Sequence, residues 1–100
     1  MKKITLRELF YTFKKEHIFL NRKTLYNIFL SLKTQIPELL DSPVDSIQIY
    51  QLTYRTYFRK RRNKIFFYTY LMILIEFALK FQLISKSNKK LVNDIKKLFR

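Results

Sequence analysis

Five of the six residues from Arg59 to Lys64 are basic: Arg59, Lys60, Arg61, Arg62 and Lys64, interrupted only by Asn63. A second, shorter set, Asn21, Arg22, Lys23 and Thr24, with Tyr26 close behind, mixes cations with small hydrogen-bonding side chains. These residue types neutralise phosphates and donate hydrogen bonds to their oxygens, which is recognition rather than bond-making. The usual catalytic groups are thinly supplied. Seven acids, Glu8, Glu16, Glu38, Asp41, Asp45, Glu76 and Asp94, are scattered along the chain, most of them in capping or turn positions, and no glycine-rich phosphate loop is present. The absence of cysteine excludes disulfides, zinc–thiolate sites and thiol catalysis, and fits a reducing cytoplasm. His17, the only histidine, stands beside Ile18 and Phe19 and reads as a helix-end or packing residue, so neither a metal nor a cofactor is expected.

Both cationic sets fall where helices should open. Phe67, Leu71, Leu74, Ala78 and Phe81 recur at helical spacing, with Tyr68, Met72, Glu76 and Lys80 on other faces, which predicts one long helix within Arg59 to Ile84. Its N-terminus carries the basic run, where free N–H groups and the helix dipole already favour anions. Asn21 is a suitable N-cap for a second helix with the stripe Leu25, Ile28, Phe29, Leu32 and Ile36. The opposite face, Arg22, Lys23, Tyr26, Asn27 and Lys33, reads equally as phosphate-facing or as merely solvated.

The remaining elements follow from caps and breakers. Thr5 and Glu8 form a capping box for a first helix with Leu6, Leu9, Phe10 and Phe13 inside. Pro37 ends the second helix, and a third begins near Ser46, with Ile47, Tyr50 or Gln51, Tyr54 and Phe58 at helical spacing. The aromatic density of Tyr50, Tyr54, Tyr57 and Phe58 reads either as a stacking platform for bases or as the rim of a small core. Ser85 to Asn88 caps a short last helix with Leu91, Val92, Ile95, Leu98 and Phe99 inside and Lys89, Lys90, Lys96 and Lys97 outside.

A chain of 100 residues, 48% of them hydrophobic, makes one domain over 1–100 with a single core. No glycine and only two prolines, Pro37 and Pro43, leave few residues for the tight turns of a β fold, so the expected class is all-α. A formal net charge of +14 implies a polyanionic partner, nucleic acid first and an anionic membrane second. A general bias toward Lys, Ile, Asn, Phe and Tyr would raise that charge too, but not cluster it. The N-terminus lacks an apolar signal segment, and a cytoplasmic, nucleoid-associated protein is expected.

The order of these features resembles the SAM-like N-terminal core-binding domain of tyrosine recombinases, the phage-integrase family. Thr5, Leu6, Glu8, Leu9 and Phe10 match its opening T-L-x-E-L-F helix. Thr24, followed by Ile36, Pro37, Leu39, Pro43, Val44 and Ile47, echoes its I-x-P-x-L-G-x-x-P-I-x-x-I segment. Phe77, Ala78, Leu79, Lys80, Leu83 and Ile84 can be set against its F-x-x-A-V-K-N-G-L-I helix end. Leu40 and Gln82 replace the two glycines of those motifs, and Ser87 and Asn88 stand where an Asn-Pro usually follows. The resemblance implies a compact bundle of four main helices with a short C-terminal helix, clamping one face of double-stranded DNA with its second helix and its long helix. The contacts would then be Asn21, Arg22, Lys23, Thr24, Tyr26 and Arg59, Lys60, Arg61, Arg62, Asn63, Lys64. The recombinase reaction uses a tyrosine nucleophile with an Arg, Lys and His set in a separate C-terminal domain, which is absent from these residues. A DNA-binding monomer without enzymatic activity and without a small-molecule substrate is the expectation.

Two rivals stand beside it. Residues 65–84 approach the length of a membrane span flanked by cations, although Glu76 and Lys80 would each cost about 2.5–3.5 kcal/mol near its centre. An exposed Glu76 to Lys80 pair on a water-facing helix accounts for the same residues. The other rival is a small basic helical immunity-type protein that binds a protein partner and ignores DNA.

Overall fold

Thr5 starts the first helix as the capping box requires: its Oγ1 accepts from the Glu8 N–H at 3.2 Å, and its own N–H donates to the Glu8 carboxylate at 3.2 Å. Such reciprocal caps contribute about 1 kcal/mol. The computed structural model describes residues 3–16 and 22–99, so His17 and Asn21 lie outside the described residues. Within them the helices are α1 (Leu6–Glu16), α2 (Arg22–Gln35), α3 (Pro37–Leu40), α4 (Ile49–Arg55), α5 (Arg61–Lys80) and α6 (Lys89–Lys97). Short 3₁₀ turns at Val44–Ser46 and Lys86–Asn88 precede α4 and α6. No strand occurs among the described residues; a lone bridge pairs Thr5 with Pro43. The chain is all-α.

One hydrophobic core takes side chains from every helix. The expected stripes of α1 (Leu6, Leu9, Phe10, Phe13) and α2 (Leu25, Ile28, Leu32, with Ile36 just beyond) are buried, and Phe29 packs against them half-buried. Pro37 takes the first position of α3, where its missing N–H costs nothing. α5 packs against α2 and α6. Having two helical neighbours widens its buried face beyond the predicted stripe: Tyr68 and Ile75 are buried along with Phe67, Leu71, Leu74 and Ala78. Glu76 pairs across to Lys96 of α6 at 3.5 Å rather than along its own helix. Lys80 instead places its Nζ 5.8 Å from the centre of the Phe77 ring.

The third predicted helix is interrupted. Ile47 and Gln48 are extended, so α4 starts only at Ile49 and its register differs from the expected one. Leu52 becomes its buried residue, Tyr50 and Tyr54 face solvent, and Phe58 falls in the connector after the helix.

α5 is shorter than the Arg59 to Ile84 stretch in which it was expected. It opens at Arg61, leaving Arg59 and Lys60 in the connector, and closes at Lys80 in a Schellman turn. The Leu83 N–H donates to the Ala78 carbonyl at 2.9 Å and the Gln82 N–H to the Leu79 carbonyl at 3.1 Å. This geometry needs a left-handed residue, and Gln82 supplies it with φ of 58°, alone among the described non-glycine residues. Phe81, expected inside, is the C-cap and stands 50% exposed. A side chain in the left-handed region costs roughly 1–2 kcal/mol. Gln82→Gly therefore raises stability by up to about 1 kcal/mol, net of added freedom in the unfolded chain, and a denaturant midpoint measures the gain. The helix ending at Lys80 also removes 65–84 as a continuous span, and among the described residues no helix is long and apolar enough to cross a membrane.

The turn after α5 is locked by Asn88, the one buried polar side chain among the described residues, at 3% exposure. Its Nδ2 donates to the Asp45 carboxylate and, at 2.9 Å, to the Ser85 carbonyl. The same Asp45 oxygen accepts from the Ser85 N–H at 3.1 Å. Asp45 thus fastens the α5–α6 turn to the turn before α4.

Candidate nucleic-acid interface

Arg59 and Lys60 reach solvent from a connector anchored at three successive residues. Thr56 Oγ1 donates to the Leu52 carbonyl at 2.6 Å and lies 2.9 Å from the Tyr68 hydroxyl. With its own proton already committed, Thr56 accepts from Tyr68. Burial pushes the Tyr68 phenol above its ordinary pKa, with the Thr56 hydrogen bond opposing, so the phenol stays a neutral donor throughout the physiological range. Next, the Tyr57 N–H donates to Gln35 Oε1 at 2.5 Å, joining the connector to α2. Phe58 then packs its ring 5.1 Å from Phe67 and 6.4 Å from Tyr68.

From this footing Lys60 enters α5 as an extended N-cap that makes no side-chain capping bond. The Asn63 and Lys64 N–H groups return to the Lys60 carbonyl at 3.1 and 3.3 Å. Among the described residues nothing accepts from the Arg61 or Arg62 N–H. Arg59, Lys60, Arg61, Arg62, Asn63 and Lys64 are all exposed, and no described carboxylate forms an ion pair with any of the five cations. Five of the seven acids are occupied elsewhere: Glu8 caps α1, Asp41 holds Arg7 at 2.9 Å, Glu38 pairs with Arg55, Asp45 holds Asn88, and Glu76 meets Lys96. Five like charges around a helix opening repel one another and the dipole, an arrangement that favours an anion.

The second predicted set sits apart from the first. Arg22, Lys23 and Thr24 form the first turn of α2, with Arg22 and Lys23 exposed and Thr24 half-buried. Arg22 lines a surface depression with Tyr11, Lys14 and Lys15 of α1, and Tyr26 borders an apolar groove of about 240 Å³ with Phe10 and Phe29. The opening of α5 lies instead against the later part of α2. There Asn27, Ser31 and Gln35, Tyr57 and Arg59, and Asn63 and Phe66 line a cleft of about 380 Å³. α2 is the wall common to both regions, its first turn serving one and its Asn27–Gln35 flank the other.

Ser31, Gln35 and Phe66 were absent from the residues singled out in the sequence. Asn27, Ser31 and Gln35 recur every four residues, a polar line beside the apolar stripe that was the available signal. The exposed aromatic residues include Tyr54, at 83%, and Tyr57, at 78%, flanking this basic region; neither is a rim residue of the core. No protein-family model matches the chain, and neither a curated protein nor a solved structure does.

Proposed function

We propose that the protein binds double-stranded DNA by its phosphate backbone, with the opening of α5 as the principal contact and the first turn of α2 as an auxiliary one. The observation carrying this reading is the exposed, acid-free cluster Arg59, Lys60, Arg61, Arg62 and Lys64, held at a helix opening by an anchored connector. Phosphate contacts of this kind position a protein on DNA without reading sequence. The fuller reading, a core-binding module of a phage-integrase-type tyrosine recombinase acting in DNA integration in the cytoplasm, rests on the resemblance of the three motifs. It is supported by Gln82, whose positive φ falls where the family carries glycine. Such a module binds and leaves strand cleavage to other residues.

Exposed tyrosines are also common anchors of protein interfaces, which favours the immunity-type rival to a lesser degree. Salt separates the two. With about six phosphate contacts, the logarithm of duplex affinity falls against the logarithm of salt with a slope of roughly −5. Fluorescence anisotropy of a labelled duplex between 50 and 200 mM salt measures it, as an order-of-magnitude range over which such binding changes strongly. A slope near zero, or no binding at the low end, rejects the proposal.

A further inference from the structure

The cleft beside the α5 opening has features that phosphate contact does not use. Its polar groups are carboxamides and a hydroxyl rather than cations alone. Gln35 gives its oxygen to the Tyr57 N–H, which leaves its NH₂ as a donor. Ser31 donates to the Asn27 carbonyl at 3.0 Å, which leaves its oxygen lone pairs as acceptors. Among the described residues no group bonds to the side-chain amides of Asn27 or Asn63. Donors and acceptors therefore sit side by side, the pattern that matches the edge of a purine. Phe66 and Tyr57 add partly exposed aromatic surface, and Arg59 stands at the rim.

Shape decides which kind of base can use it. In paired DNA the base edges lie at the floor of a groove about 8.5 Å deep and are read by convex elements that enter it. This cleft is concave and, at about 380 Å³, falls at the small end of ligand sites, so it admits a group that protrudes. We propose that it holds a single unpaired purine while the α5 opening grips the adjoining phosphates. The chain then prefers DNA carrying an extruded purine over the fully paired duplex. This inference rests on the nucleic-acid reading above and adds a base-binding subsite to it.

Three labelled duplexes test it by anisotropy: one fully paired, one with a single extra adenosine, and one with an abasic residue at that place. Binding of the adenosine bulge about tenfold tighter than both others is expected, since one base on an aromatic side chain carries an effect of that order. Asn27→Ala and Phe66→Leu, made separately, each reduce this preference and leave affinity for the paired duplex unchanged. Equal binding of the adenosine and abasic bulges overturns the proposal, because backbone flexibility alone would then account for the result. Equal binding of all three, or a preference that both variants retain, overturns it as well. In each case salt-dependent binding of the paired duplex leaves the phosphate reading in place, whereas failure to bind any of the three removes both.

Discussion

Arg61→Glu combined with Arg62→Glu lowers affinity for duplex DNA about a hundredfold at 0.1 M salt. Each phosphate contact contributes roughly 0.9 to the slope of log affinity against log salt, so at 0.1 M one contact is worth about tenfold and two about a hundredfold. The salt slope of the variant is correspondingly shallower by about 2. The fold of the variant is expected to be unharmed. Both residues are exposed and without a carboxylate partner among the described residues, and they occupy the first two positions of α5. Glutamate there interacts favourably with the helix dipole, by about 0.3–1 kcal/mol for each position. The variant therefore melts no lower than the parent by circular dichroism while losing DNA. Unchanged affinity would show that the contact surface lies elsewhere, and uniform weakening across unrelated sequences is expected if the contacts are to phosphate alone.

Asp45→Ala has the largest expected effect on stability. It removes the carboxylate that receives both the Asn88 amide and the Ser85 N–H. Asn88 keeps the Ser85 carbonyl at 2.9 Å, but its buried amide loses one of its two acceptors and the Ser85 N–H loses its own. An unsatisfied buried polar group costs about 1–3 kcal/mol. With roughly 2 kcal/mol lost from a domain of this size, the melting temperature falls by about 10 °C. Asp45→Asn retains an acceptor oxygen at the same place and loses much less. If the two variants melt alike, the clamp does not contribute what its geometry implies. Because Asp45 lies in the turn before α4, away from the α5 opening, the DNA affinity of folded Asp45→Ala protein stays that of the parent.

Local patterns were the legible part of the chain. The Thr5–Glu8 box, the stripes of α1 and α2 and the stop at Pro37 each depend on residues within a few positions of one another, and the structure has them where the spacing puts them. The basic run was legible as well, although it straddles the connector and the first turn of α5 rather than lying wholly in the helix. What escaped depends on distant partners. Tyr68 is buried because α5 is central and Thr56 satisfies its hydroxyl, neither of which periodicity reveals. The break at Ile47 and Gln48 carries no glycine or proline to announce it, so the third helix was placed too early and in the wrong register. The cleft is assembled across the chain: Gln35 and Tyr57 meet although 22 residues separate them. Of the polar line of α2 only Asn27 belongs to the face read from the sequence, beside Arg22, Lys23, Tyr26 and Lys33; Ser31 and Gln35 do not.

The central claim is that the open first turn of α5 meets DNA phosphate, and amide chemical shifts in isotope-labelled protein titrated with a short duplex test it most directly. The account predicts the largest changes at the Arg61, Arg62 and Asn63 N–H groups, with smaller ones in the first turn of α2. Changes confined to the lysine face of α6, at Lys89, Lys90 and Lys97, with the α5 opening unmoved, would contradict it.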